Sequence, residues 1–135
     1  MKIYALFILL CAMTLASCVA EPPSPSVAAS LGKPVILKLD QTAKFEDGLE
    51  VTFVDVPSDG RCSSCTASFA AVIALRMTVP GKSPVLVNLS TPPLNEMRGD
   101  PLPYAIKFVN LTPQRKYPPD ALNRAEYVVT VTINK

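Results

Sequence analysis

Two cysteines, Cys62 and Cys65, are the residues of this 135-residue chain whose spacing points most directly to chemistry. Outside the cytoplasm, a C-x-x-C pair forms a short disulfide, works as a redox couple or binds a soft metal such as Cu(I). We favour a structural disulfide, because the Cα atoms of residues i and i+3 of a β-turn lie less than about 7 Å apart, which an S–S bond can span. A redox site of the thioredoxin type would need βαβ units around it, and a Cu(I) site would use the two thiolates, with Met77 and Met97 as candidate additional ligands.

The chain contains no histidine and no tryptophan. Ser-His-Asp and Cys-His nucleophile systems, imidazole metal sites and histidine general bases are therefore excluded, because each needs a ring nitrogen that titrates near neutrality. The carboxylates between positions 40 and 59 follow no spacing that forces two of them together, and we interpret them as a charged surface. They are Asp40, Glu46, Asp47, Glu50, Asp55 and Asp59. The sequence predicts a protein that is not an enzyme, with no catalytic residue, no metal and no cofactor.

The first residues have the order of a secretory signal: a lysine, a short apolar core and small residues. A core of this length is too short to span a bilayer permanently. Residues 15–18, Leu-Ala-Ser-Cys, resemble the lipobox of bacterial lipoproteins, which implies cleavage before Cys18 and a lipid on its thiol. The alternative is an ordinary signal cut after Ala20. Val19 is not the aspartate of an inner-membrane retention signal, so we expect the outer membrane.

Removal of residues 1–17 leaves 118 of the 135 residues, the size of one domain. Residues 18–33 are rich in Pro, Ser and Ala and predict an extended tether, and residues 34–135 are predicted to form the domain. Basic and acidic residues nearly balance and are interspersed, so no nucleic-acid partner is expected.

Apolar residues alternate with polar ones in several short runs, which is the period of half-buried strands. These runs are Val35–Leu39, Leu49–Phe53, Val85–Leu89, Tyr104–Phe108 and Tyr127–Ile133. Residues 46–48, Glu-Asp-Gly, predict a hairpin turn between the first two runs, with Gly48 at positive φ. Proline-rich breaks separate the later ones. We predict an all-β fold, an antiparallel β-sandwich, immunoglobulin-like or an open barrel, of about seven short strands.

Residues 67–77 are compatible with helix or strand, since alanine, leucine and methionine favour helices. We predict a strand, because Ile73, Leu75 and Met77 alternate with smaller or polar residues and Pro80 begins a turn into the next run.

Residues 59–62, Asp-Gly-Arg-Cys, follow the strand predicted to end near Val56. They resemble a motif in a family of short, uncharacterised bacterial exported proteins and lipoproteins. In that family, a strand is followed by Asp-Ser-Arg-Cys-Pro, a second cysteine, a Trp-x-Gly step and a long central strand. The departures here are Gly60 for Ser, Ser63 for Pro, an early second cysteine at Cys65, and Ala67 and Phe69 in place of Trp and Gly. The resemblance implies an exported β-domain and no particular activity.

Three further motifs have simple explanations. Arg98-Gly99-Asp100 is similar to the integrin-binding tripeptide, but Gly-Asp-Pro is also a good turn sequence. Asn88-Leu89-Ser90 and Asn110-Leu111-Thr112 match glycosylation sequons, which we interpret as strand-end residues.

The expected function is that of a non-enzymatic module, lipid-anchored at Cys18 in the bacterial cell envelope. Its predicted partners are the membrane and an unidentified envelope protein or ligand, bound through strand faces or proline-rich loops. The alternative is a thiol-redox or Cu(I)-handling lipoprotein that uses Cys62 and Cys65.

Overall fold

The structure, a computed structural model, describes residues 25–62, 70–91, 96–98, 103–114 and 123–135, with the backbone alone at 96–98. These residues form nine strands, a short 3-10 turn at Arg124–Glu126 and no α-helix. The strands are β1 (Ser26–Ala29), β2 (Pro34–Lys38), β3 (Thr42–Phe45), β4 (Glu50–Asp59), β5 (Ala71–Thr78), β6 (Val85–Ser90), β7 (Glu96–Arg98), β8 (Ala105–Thr112) and β9 (Val128–Asn134). The predicted all-β fold is confirmed, with more strands than the seven or so expected.

The strands form two sheets in a β-sandwich. One sheet has the order β1-β3-β4-β5-β6 and the other has the order β2-β9-β8-β7. All pairs are antiparallel except β1 with β3, which is parallel. The described residues contain no helix with the length and hydropathy needed to cross a bilayer.

The core lies between the sheets and takes the alternate residues that the period-two pattern assigned to it. The large side chains with at most 2 % exposure belong to six strands, which come from both sheets. They are Leu37, Val51, Phe53, Ile73, Leu75, Met77, Leu89, Ile106, Leu111, Val129, Val131 and Ile133, together with Leu49 just before β4. Burial of such side chains on both inner faces is what holds two sheets together.

The first hairpin differs from the predicted one. The turn at 46–48 joins β3, not β2, to β4, and Gly48 has the predicted positive φ of 85°. The run from Val35 ends at Lys38, and Asp40, at φ 62°, lies where the chain turns away toward the other sheet. The short strand β3 (Thr-Ala-Lys-Phe) gives a weak pattern, yet Thr42 is buried, and its hydroxyl is hydrogen-bonded to that of Thr52 at 2.8 Å.

The folded part begins earlier than position 34. Residues Ser26–Ala29, inside the predicted tether, form β1 and pair in parallel with β3. Val27 and Ala29 are half-buried against the core, which explains why this Pro- and Ser-rich stretch adds a strand. Residues 1–24, with the predicted signal and Cys18, lie outside the described residues.

The ambiguous segment is a strand where it is described, since Ala71–Thr78 forms β5, which lies between β4 and the edge strand β6 of the five-stranded sheet. Residues 67–69 lie outside the described residues. β4 ends and β5 begins at one end of the sandwich, where β8 also ends and β9 begins. We call this the Asp59 end, and we call the opposite end, with the turn at 46–48, the Asp47 end.

Candidate functional site

The motif at residues 59–62 folds into a compact ion pair at the Asp59 end. Asp59 is the last residue of β4, and Arg61 turns back toward it because the Arg61 N–H donates to Asp59 Oδ1 at 3.1 Å. The guanidinium then donates from Nε to Oδ1 and from Nη2 to Oδ2, both at 2.8 Å. The two side chains are 15 % and 4 % exposed, so this bidentate pair is almost entirely removed from water. Bidentate arginine–carboxylate pairs of this kind are among the strongest ion pairs in proteins.

The remaining donors of Arg61 reach the other sheet. Nη1 donates to the carbonyl of Leu111, and Nη2 donates to the carbonyl of Pro113 at 3.0 Å. Tyr127, which directly precedes β9, donates its hydroxyl to Asp59 Oδ2 at 2.9 Å. A residue after β4 is thereby connected to the end of β8 and the start of β9. We call Asp59, Arg61 and Tyr127 the clamp.

The electrostatics of the clamp favour the ionised carboxylate. Burial raises the pKa of Asp59. Hydrogen bonds from the side chain and main chain of Arg61 and from Tyr127 together lower this pKa by more than burial raises it. The net pKa of Asp59 lies below its ordinary value. A buried, fully hydrogen-bonded carboxylate of this kind is a poor general base, and its arrangement is that of a structural pin.

A second tyrosine–carboxylate pair lies at the Asp47 end. Tyr104, just before β8, donates its hydroxyl to Asp47 Oδ2 at 2.6 Å. Lys135 Nζ lies 3.6 Å from the same oxygen and 5.6 Å from the centre of the Tyr104 ring. The hydrogen bond from Tyr104 lowers the pKa of Asp47. Burial, with the hydrogen bond to Asp47, raises the pKa of Tyr104 to about 12.

The interpretation of all six carboxylates as a charged surface is wrong for Asp59. Its side chain is 4 % exposed and is part of the clamp. Other acids fit the surface interpretation better: Glu50 pairs with Lys44 at 3.5 Å and Asp55 with Arg124 at 3.0 Å, with more than a third of each side chain exposed. Burial by the opposite sheet, which spacing along the chain does not reveal, separates Asp59 from the rest.

Cys62 follows the clamp directly, at the Asp59 end. Cys65 lies outside the described residues, so the bond between the two stays a prediction. Met77 is remote from Cys62, because it is fully buried and stands opposite Val51, six residues along β5 from Ala71, the residue opposite Asp59. At about 3.3 Å per residue, this separation is roughly 20 Å. The side chain of Met97 is not described.

The remaining motifs supply no site in the described segments. Asn88 and Asn110 lie within β6 and β8, not at their ends, and Asn110 stands at a β-bulge where its side chain accepts from the Leu111 N–H at 2.9 Å. Gly99 and Asp100 lie outside the described residues. No group of three or more acidic or cysteine side chains that could hold a metal ion occurs in the part of the chain that the structure describes.

A shallow pocket of about 350 Å³ opens on the side of the sandwich where β1 and β2 are neighbouring edge strands. It is lined by residues 27–30 and 33–36. Among the described residues that line it, only Lys33 has an ionisable side chain, and Ile36 is 63 % exposed.

A comparison of the chain with family models, curated proteins and solved structures finds no match.

The sequence pattern did not reveal that Arg61, Tyr127 and Tyr104 are hydrogen-bond partners of Asp59 and Asp47. A usable signal existed for the first, since an Asp-x-Arg spacing at a strand end allows the arginine to fold back on the carboxylate. Tyr104 and Tyr127 gave no such signal, because each fits an ordinary apolar position in a strand pattern.

Proposed function

We propose that this chain is a non-enzymatic binding module of the bacterial cell envelope, anchored in a membrane by a lipid on Cys18. The observation that carries the proposal is the distribution of large apolar side chains over the outside of the sandwich. Ile36, Leu86 and Val109 are 63 %, 59 % and 48 % exposed; Ile36 and Leu86 lie in regularly paired parts of β2 and β6, and Val109 lies at the bulge of β8. Rigid strands that present apolar side chains outward suit recognition of a partner by preformed surfaces.

Two of these residues share one face. β9 lies between β2 and β8, and Ile36 is opposite Thr130, which is opposite Asn110 beside Val109. The strands β2, β8 and β9 contain no acidic residue, and their exposed charges are Lys38 and Lys107. The part of the outer face formed by these three strands is therefore apolar and threonine-rich, and Lys107 stands opposite Glu96 of β7. Such a face suits a protein or peptide partner.

The polar residues support a binding role in another way. The opposite charges of the buried Asp59 and Arg61 side chains neutralise each other, and the hydrogen bonds of Arg61 connect the two sheets. A clamp of this kind keeps the strand framework rigid, so that binding costs little conformational entropy.

The test is site-specific photocrosslinking in living cells. A photoreactive phenylalanine analogue is placed at position 36, 86 or 109 of the full chain, with exposed Lys82 in the β5–β6 turn as the control position. We expect a discrete adduct of defined mass at one or more of the three positions and none at 82. Absence of a specific adduct at all three positions, in protein shown to be exported and folded, would contradict the proposal.

A further inference from the structure

The hydrogen bonds of Lys38 show in which direction the main-chain N–H and carbonyl groups of β2 point. The Lys38 N–H donates to Gln41 Oε1 at 3.0 Å, and the Lys38 carbonyl accepts from the Gln41 N–H at 3.0 Å. Both groups therefore point away from β9. Because these directions alternate along an antiparallel strand, Pro34 and Ile36 point the same way, and Val35 and Leu37 bond to β9. Pro34, which has no N–H, fits such an outward position.

The free part of this edge is short. Gln41 occupies the Lys38 position, and Pro34 can only accept. The groups left without a partner among the described residues are the Pro34 carbonyl and the N–H and carbonyl of Ile36. These three groups can bond one extended segment over about three residues. The strand is thus closed at both ends and open at its centre.

The pocket between β1 and β2 adjoins this opening. Its wall contains Pro34, Val35 and Ile36 from β2 and Val27, Ala28 and Ala29 from β1. A peptide that binds as an added strand beside β2 directs its side chains alternately to the two sides of the sheet. Every second side chain of the bound peptide would therefore reach the pocket. The lining favours a small apolar side chain there.

The charges at the two ends of β2 indicate what kind of peptide would bind there. Lys33 and Lys38 are exposed at the two ends of β2, about 16 Å apart along an extended strand, and none of the described residues that line the pocket is acidic. We infer that the β2 edge binds an extended acidic peptide of a partner protein, with a small apolar residue over the pocket and carboxylates toward Lys33 and Lys38. The inference rests on the proposed binding function and names its partner class.

The probe is a phage-displayed random heptapeptide library, selected against the full-length lipidated chain in neutral phosphatidylcholine nanodiscs. We expect enrichment of sequences with acidic residues on both sides of a small apolar one. A synthetic peptide of the enriched sequence should bind a Lys33→Glu, Lys38→Glu variant at least tenfold more weakly. Lys82→Glu, which makes a similar charge change in an exposed turn, should alter binding less than twofold.

Residue-resolved amide exchange locates the bound peptide. Saturation with the peptide should slow exchange of the Ile36 amide at least tenfold, and Ile36→Pro, which removes that N–H from an edge position, should abolish binding. A library that enriches no acidic sequence, protection at other strands only, or a concentration-dependent dimer that protects Ile36 without peptide would each overturn the inference. If the inference failed but crosslinked adducts formed at position 86 or 109, the proposed function would still stand. If no adduct formed at position 36, 86 or 109, both the proposed function and this inference would be wrong.

Discussion

Arg61 and Asp59 are two residues apart in sequence, and their side chains meet in a planar fork with two N–O distances of 2.8 Å. The arginine also bonds the carbonyls of Leu111 and Pro113, fifty and fifty-two residues further along the chain. A local pair thus acts as a connection between the two sheets.

Removal of one member should be costly. Arg61→Met keeps most of the side-chain volume but leaves Asp59 buried without its cation, and we expect a loss of roughly 3 to 5 kcal/mol in the free energy of unfolding. Arg124→Met is the matched control, because the exposed pair with Asp55 should contribute at most about 1 kcal/mol. Urea denaturation measures both. Equal, small losses would show that the clamp does not stabilise the fold.

The clamp should also make stability fall in acid. The pKa of Asp59 is lower in the folded protein than its ordinary value of 3.8, so the unfolded state takes up a proton first as the pH falls. The stabilisation is complete above about pH 5 and is lost as the pH falls below 4 through the folded-state pKa. Asp47 acts in the same direction. Unfolding free energies measured from pH 7 to pH 2 should decline less steeply for Asp59→Asn than for the wild type.

Tyr104 should titrate later than an ordinary tyrosine. Its pKa is about 12 in the folded protein, against an ordinary value of 10.0, since burial and the hydrogen bond to Asp47 disfavour the phenolate. A raised pKa contributes stability that is fully present below pH 10 and is lost as the pH rises through about 12. Ultraviolet titration should show a late step that Tyr104→Phe removes. If the wild type and Tyr104→Phe differ only near pH 10, Tyr104 is not shielded.

Cys62 and Cys65 should be joined by a structural disulfide in the exported protein. Both thiols should resist alkylation until a reductant is added, as followed by mass spectrometry. A ring of about four residues contributes only roughly 2 kcal/mol, so a variant with both cysteines changed to serine should fold and melt at a modestly lower temperature. Free thiols, or a reduction potential well above about −300 mV, would favour the redox or Cu(I) alternative.

Cys18 should carry the lipid. Labelled palmitate should be incorporated into the wild-type protein, and Cys18→Ser should release the chain from the membrane or mislocalise it, since stable anchoring depends on more than one acyl chain. Cys11→Ser, which changes a cysteine inside the predicted signal, is the control and should leave labelling unchanged. Membrane association that survives Cys18→Ser would refute the anchor.

Strands with a clean alternation of apolar and polar residues could be predicted from the sequence. Strands that form only because they pair with other strands could not. β2, β4, β5, β6, β8 and β9 were predicted because most of their buried positions are large and apolar. β1 and β3 escaped, since Ser26, Ala28, Thr42 and Lys44 belong equally well to loops. Their strand structure depends on pairing with each other and with β4, which is a long-range property.

The sequence by itself determined the class of fold, since period-two alternation with proline breaks suits two half-buried sheets and no helical bundle. It also determined the positive φ at Gly48, because glycine adopts that conformation at little steric cost. Only the tertiary structure decided that β2 and β3 belong to different sheets, and that Asp59 is a buried pin, not a surface charge. The physical reason is common to both. Which strand is a neighbour, and which carboxylate loses its water, depend on segments tens of residues away that no local pattern records.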